Sequence, residues 1–395
     1  MHRTSLGSRV LLTTALMLGA WGCGSDDETT TPKDGAAKLD ANATDAAAVD
    51  APSSGGDGQA PGDALKGDGQ ATDGPVLTTL QARGKYLVDN VVGCSDCHTP
   101  RLPTGAPDLS KYMSGGFCFV PGPSNTCLLA SRNLTNDETG LKNRTDDEIK
   151  DMFMNGKRPA ATGENLIPVM PYYVFHNMKA DDANAIVAYL RVIPAVKNDV
   201  KRDAMFNGMP AAPPLTLTKV PPVPANHPRK DSAERGKYLT TQLGVCVECH
   251  TKHLAPGAGA VLDEDRFFQG GEDFSAFFAP LPFRVVSKNI TSDPTTGIGL
   301  FSPDDIVKVL KEGKDPSGRS ICPPMPAGPM GAYGGLSAED AADIANYIYS
   351  LPAAVNDTGM NMCALPMTSD GGVSDGAPAD SSSADSSSAD DAQGG

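Results

Sequence analysis

The stretch Cys94-Ser95-Asp96-Cys97-His98 decides the reading of this 395-residue chain, and it occurs again as Cys246-Val247-Glu248-Cys249-His250. Two thiols three positions apart share one short turn, and an imidazole follows at once. That spacing suits covalent attachment of a c-type haem, with each thiol adding to a vinyl group while the histidine lies over the iron. A single Cys-x-x-Cys pair also suits zinc or a redox dithiol. Zinc, however, needs two such pairs close enough to build one tetrahedral site, and here each pair sits inside its own copy of a longer repeat. Cys94, Cys97, Cys246 and Cys249 are therefore read as attachment residues for two covalently bound c-type haems, with His98 and His250 as the proximal iron ligands.

The repeat is visible at several landmarks. Arg83-Gly-Lys-Tyr-Leu leads into the first turn and Arg235-Gly-Lys-Tyr-Leu into the second, 152 residues on. Asn133-Leu-Thr-Asn-Asp-Glu-Thr-Gly140 matches Asn289-Ile-Thr-Ser-Asp-Pro-Thr-Thr-Gly297, and residues 182–194 match 340–352. Helices are predicted over 80–90 and 233–242, running into the attachment turns. Residues 145–154 and 302–311 open on Thr-Asp-Asp-Glu and Ser-Pro-Asp-Asp, which are helix-start patterns with acids in the first turn. Residues 181–193 and 338–351 close each copy with apolar side chains at helical spacing, stopped by Pro194 and Pro352. No strong alternating run is present. The fold class is mainly α: two tandem domains, each a few helices wrapped around a covalently bound haem.

A second axial ligand is sought in the same register. Met170 lies in Ile167-Pro-Val-Met-Pro and Met325 in Cys322-Pro-Pro-Met-Pro, 155 residues apart and between the middle and last helices of each copy. Flanking prolines keep that loop out of a helix and stiffen it. Met170 and Met325 are the candidate iron ligands opposite His98 and His250, with Met330 as runner-up to Met325. Met152, Met154 and Met178 are read as core packing. His176 and His253 are weaker ligand candidates, because neither has a counterpart in the other copy.

The net charge of −15 is unevenly distributed. Residues 24–79 hold 11 acids against 3 lysines, and residues 368–395 hold 6 aspartates and no base. The acidity belongs to the ends and argues against nucleic-acid binding. The nine cysteines divide into four in the attachment turns, Cys23, and an even remainder of Cys118, Cys127, Cys322 and Cys363. In an oxidising compartment the remainder reads as two disulfides. Of the three possible pairings, local proximity favours Cys118–Cys127 with Cys322–Cys363.

Residues 1–23 read as a secretory leader: Arg3 and Arg9, then an apolar run to Trp21 that is too short to span a bilayer. It ends at Gly22-Cys23 before a polar tract and resembles a bacterial lipoprotein processing site, with Cys23 as the lipidated residue. Residues 24–77 and 368–395 are too poor in large apolar side chains to offset their ordering entropy, so they read as a disordered tether and tail. The ordered chain divides into 78–205 and 231–367, joined by a Pro-rich, semi-rigid, extended linker over 206–230.

The order of helix, CxxCH, Asn-[Leu/Ile]-Thr, Met-Pro and closing Tyr-containing helix resembles class I cytochrome c. It is most similar to the multi-haem cytochrome c subunits of membrane-associated bacterial alcohol, aldehyde and gluconate dehydrogenases. The resemblance covers about 80–200 and 233–357. It implies His/Met ligation, and close packing of Gly84 and Gly236 against Tyr189 and Tyr347. Those subunits usually carry three haem modules and a C-terminal anchor, whereas this chain has two attachment turns and a lipoprotein-type leader. The expected function is electron transfer on the periplasmic side of a bacterial membrane, from a dehydrogenase or quinol-linked donor to an oxidase or cytochrome acceptor, with no catalytic residue of its own. The alternative is a di-haem peroxidase or other haem oxidoreductase with one open iron, for which His253 is the asymmetric residue. A third reading is a structural lipoprotein with incidental haem.

Overall fold

Thr78 sets the start of the first helix, α1 (Thr79–Tyr86). Its hydroxyl accepts the Gln81 N–H at 3.3 Å, and the Gln81 side chain accepts the Thr78 N–H at 2.9 Å, so two of the orphan donors at the helix start are satisfied. The chain then widens into a π-helical turn, Leu87–Val91, and delivers α2 (Cys94–His98), which carries the first Cys-x-x-Cys-His sequence. Helix α3 (Asp146–Asn155) begins on a capping box between Thr145 and Glu148. A short helix, α4 (Tyr172–Phe175), follows the Met170 loop, and α5 (Ala180–Leu190) closes the first copy.

The second copy repeats the plan: α6 (Lys230–Tyr238), a π-helical turn Leu239–Leu243, then α7 (Cys246–Cys249). Next come α8 (Pro303–Glu312), capped by Ser302 and Asp305, and α9 (Ala338–Tyr349). The computed structural model describes residues 76–159, 164–254, 261–276, 284–361 and 363. They fall within one unit, Asp73–Gly395. The leader, Cys23, the tether through residue 75 and the tail from 368 lie outside the described residues.

The first and last helices of each copy cross in direct contact. A Cβ on Gly84 would lie 1.9 Å from the Ala185 carbonyl oxygen and 2.7 Å from Tyr189 Cβ; one on Gly236 would lie 1.9 Å from the Asp343 carbonyl oxygen. Only glycine permits that approach. The apolar faces of these helices build a core in which Tyr172, Tyr173, Phe175, Phe268 and Tyr347 are buried.

Two features depart from the sequence expectation. A small antiparallel hairpin, β1 (Cys118–Pro121) with β2 (Cys127–Ala130), is stapled by the Cys118–Cys127 disulfide. Its strands are four residues long and carry irregular register, and β1 ends at Pro121, so no alternating pattern announces them. The linker, though extended, is not a free spacer. Ala212, Leu215, Val220 and Val223 are buried, the Ala212 N–H donates to Tyr172 Oη at 2.7 Å, and Tyr347 Oη donates to the Pro221 carbonyl at 2.9 Å. Cys322–Cys363 forms the other expected disulfide and ties the Met325 loop to the C-terminal stretch. Among the described residues no helix is long and apolar enough to cross a membrane.

Candidate haem-binding site

All eight predicted attachment and ligand side chains line one continuous cavity of about 2240 Å³: Cys94, Cys97, His98 and Met170 from the first copy, and Cys246, Cys249, His250 and Met325 from the second. Pockets for single small ligands run to about 300–1,000 Å³, so this volume suits more than one large group. Ile149, Phe153 and Leu190 on one side, with Ile306, Leu310 and Ile348 on the other, make its walls apolar. Met330 does not line the cavity and is 80% exposed, which separates it from Met325.

The histidines are oriented through their backbone neighbours. His98 Nδ1 lies 2.7 Å from the Arg132 carbonyl oxygen and His250 Nδ1 lies 2.7 Å from that of Lys288. A carbonyl only accepts, so Nδ1 carries the hydrogen and Nε2 keeps its lone pair, the form in which imidazole binds a metal. Burial pushes both imidazoles below their ordinary value of 6.5, only partly offset by these bonds, which favours the neutral ring.

The Asn-[Leu/Ile]-Thr motif positions the accepting carbonyls of Arg132 and Lys288, a role its letters do not show. Asn133 donates to the Val196 carbonyl at 2.8 Å and to Thr139 Oγ1 at 2.9 Å, and its Oδ1 accepts the Thr135 N–H at 2.9 Å. Asn289 repeats this with Ala354 at 2.7 Å, Thr296 at 3.1 Å and Thr291 at 3.0 Å. Each asparagine thus pins its loop to the segment after the closing helix and fixes the preceding carbonyl beneath the histidine. Sequence reasoning singled out the motif; the residues that do the aiming, Arg132 and Lys288, are the ones immediately before it.

The thiols lack the depressed pKa of a redox dithiol, although Cys97 is exposed. Burial, with the charges of Asp89 and Cys97, pushes Cys94 up to about 12, and burial pushes Cys246 up to about 11. Among the described residues no three His, Cys, Asp or Glu side chains are arranged to hold a metal ion between them. Cationic side chains complete the wall. Arg132, Arg158 and Arg202 line the first part, with Glu164 accepting from Arg158 at 2.6 Å and Arg202 at 2.5 Å. Lys288 and Arg319 line the second. Neutral thiol pairs, imidazoles with Nε2 free, thioether side chains, apolar walls and a cationic margin fit an apolar macrocycle that carries carboxylates.

The chain is related to c-type cytochromes, as its similarity to cytochrome c subunits shows, and its mainly helical fold and two Cys-x-x-Cys-His turns agree with that. No protein-family model matches it. It is 29% identical over 289 residues to the fructose dehydrogenase cytochrome subunit of Gluconobacter japonicus, covering 69% of this chain and 52% of that protein. It is 29% identical over 251 residues to the alcohol dehydrogenase (quinone) cytochrome c subunit of Gluconacetobacter polyoxogenes, covering 60% and 48%. It is 27% identical over 307 residues to the gluconate 2-dehydrogenase cytochrome c subunit of Pantoea cypripedii, covering 72% and 62%. The chain spans about half the length of the first two relatives.

Proposed function

We propose that this chain is a di-haem electron carrier, with haems attached at Cys94/Cys97 and Cys246/Cys249 and held by His98 with Met170 and by His250 with Met325. The observation that carries the reading is the duplicated constellation: in each copy a thiol pair, an imidazole with Nδ1 committed to a carbonyl and a methionine reach the same cavity. Such a haem supplies one-electron chemistry, and a thioether sixth ligand raises its potential. The protein's part is to orient each imidazole, exclude water with its apolar walls, and neutralise carboxylates with Arg132, Arg158, Arg202, Lys288 and Arg319.

The partner we propose is the catalytic subunit of a dehydrogenase, supported by the relatives' being subunits of such complexes. The acceptor is an oxidase or a further cytochrome. The location is the periplasmic side of a bacterial membrane, held by lipid on Cys23. A haem peroxidase would need one iron without a sixth ligand, whereas a methionine lines the cavity in both copies.

Mass measurement and the pyridine haemochrome of the exported protein test this. Two covalent haems, both low-spin, reversibly reduced and without peroxide turnover, are expected. One haem, or a high-spin ferric spectrum, overturns it.

A further inference from the structure

The two copies differ at the third residue after each histidine. In the first copy this is Arg101, whose guanidinium donates to the Asp96 carbonyl at 3.1 Å and lies 6.0 Å from the centre of the Phe117 ring. In the second it is His253, and the residue matching Phe117 is Glu272. The match is structural: Gly115 and Gly270 donate to the His98 and His250 carbonyls, and the N–H groups of Phe117 and Glu272 donate to Ser131 Oγ and Ser287 Oγ. A fixed charge beside an aromatic ring has been replaced by a titratable one beside a carboxylate.

His253 is held from two sides. Its Nδ1 is 3.2 Å from Glu272 Oε2, which also accepts the His253 N–H at 3.0 Å, and its Nε2 is 3.5 Å from Glu248 Oε1. The His253 and Glu272 side chains are only 11% and 9% exposed. Ionised carboxylates only accept, and a neutral imidazole has one nitrogen that can only accept. With a carboxylate near each nitrogen, the neutral ring must set a lone pair towards a carboxylate, whereas the cation places a positive charge between the two, with Nδ1 near Glu272 but not hydrogen-bonded to it. The other charged or titratable groups are Lys252, beside Glu272, Tyr173, whose Oη donates to Glu248 Oε1 at 3.2 Å, and Cys249, whose thiol donates to Glu248 Oε2 at 3.0 Å. Burial holds the Tyr173 hydroxyl well above its ordinary value of 10.0. Glu248 belongs to the attachment turn itself, and Glu248, His253 and Glu272 line the cavity alongside Cys249 and His250.

We propose that His253 is a proton-binding site coupled to the second haem: its imidazole gains protonation from solvent, up to about half a proton per electron for a tenfold affinity difference, when a one-electron donor reduces that haem, and loses it again when the electron leaves. This rests on the electron-carrier reading above. Reduction removes one positive charge from the iron, which favours the imidazolium. In an effective dielectric of about 20, Coulomb's law gives a tenfold change in proton affinity for one unit charge out to roughly 12 Å, and His253 lines the same cavity as His250. Burial disfavours the charged ring, but the Glu272 contact and the charges of Glu248 and Glu272 outweigh it and hold the imidazole above its ordinary 6.5. The first copy, with the permanent charge of Arg101 at this position, lacks this response.

The test is spectroelectrochemical titration of the full di-haem protein between pH 5 and 9. One of the two midpoint potentials is expected to fall as pH rises, by about 59 mV in total for a tenfold affinity difference at n = 1, while the other stays flat. His253→Gln should flatten it without altering the low-spin spectrum. His253→Arg, which copies the first repeat, should also flatten it and serves if the Gln variant does not accumulate with two haems. Two pH-independent potentials, or a pH dependence that survives both substitutions, overturn the proposal. A protein that binds no haem or is not reversibly reduced overturns the electron-carrier reading instead.

Discussion

Tyr86 Oη, in the first copy, donates a 2.7 Å hydrogen bond to Asp340 Oδ2 in the second, and Tyr238 Oη donates a 2.7 Å bond to Asp182 Oδ2 in return. Each carboxylate is buried and also takes an arginine from its own copy, Arg235 on Asp340 at 2.5 Å and Arg83 on Asp182 at 2.9 Å. Each tyrosine oxygen accepts a backbone N–H at the start of the other copy's closing helix, Ser337 for Tyr86 and Lys179 for Tyr238, both at 3.0 Å. The two copies therefore meet through a self-complementary contact of the kind that joins a symmetric dimer. It brings both attachment turns to one cavity.

Tyr86→Phe and Tyr238→Phe each remove a donor from a buried, charged acceptor. The expected cost is about 1.5–3 kcal/mol for each substitution, read from guanidinium unfolding, with two haems still bound per chain.

Gly236→Ala places a methyl group 1.9 Å from the Asp343 carbonyl oxygen. Helices α6 and α9 must separate, and a loss of about 1–3 kcal/mol is expected from overpacking. Gly84→Ala should behave alike, and thermal unfolding of the two variants checks both.

Met325→Ala should remove the sulfur-to-iron charge-transfer band of one haem, halving its intensity in the ferric protein, and Met170→Ala should remove that of the other. Met330→Ala should leave the spectrum unchanged, because Met330 is 80% exposed and outside the cavity. The opposite result for Met325 and Met330 would exchange their roles.

The His253–Glu272 pair should stabilise the fold most over a middle pH range. His253 is raised above 6.5, so its contribution is fully present below that value and is lost as pH rises through the folded pKa. Burial works to raise Glu272, but its bonds with His253 outweigh this and hold it below 4.5, so its contribution is present above 4.5 and is lost as pH falls through the folded pKa. The melting-temperature difference between wild type and His253→Gln should therefore be greatest between about pH 4.5 and 6.5 and shrink on either side. A difference that does not vary with pH would refute this.

Much of the fold is local and could be read directly. The helices over 145–154 and 302–311 were announced by capping boxes, and both appear, as α3 and α8. The disulfides follow from proximity in the chain. The hairpin β1–β2 could not be read, because its strands are too short and irregular to leave a period. The packed linker was also missed, because prolines report stiffness and not what a stretch lies against.

The sequence by itself determined the chemistry of each attachment turn. Two thiols and an imidazole at Cys94–His98 and Cys246–His250 are neighbours on one turn whatever the rest of the chain does. It also determined the duplication and the paired Met-Pro loops. Only the tertiary structure decided that both copies share a cavity, that Met325 reaches it while Met330 does not, and that His253 meets Glu272. The reason is distance along the chain. Spacings of three or four residues fix geometry through the backbone alone, whereas Tyr86 and Asp340 are 254 residues apart and meet only because two copies of one surface fit each other.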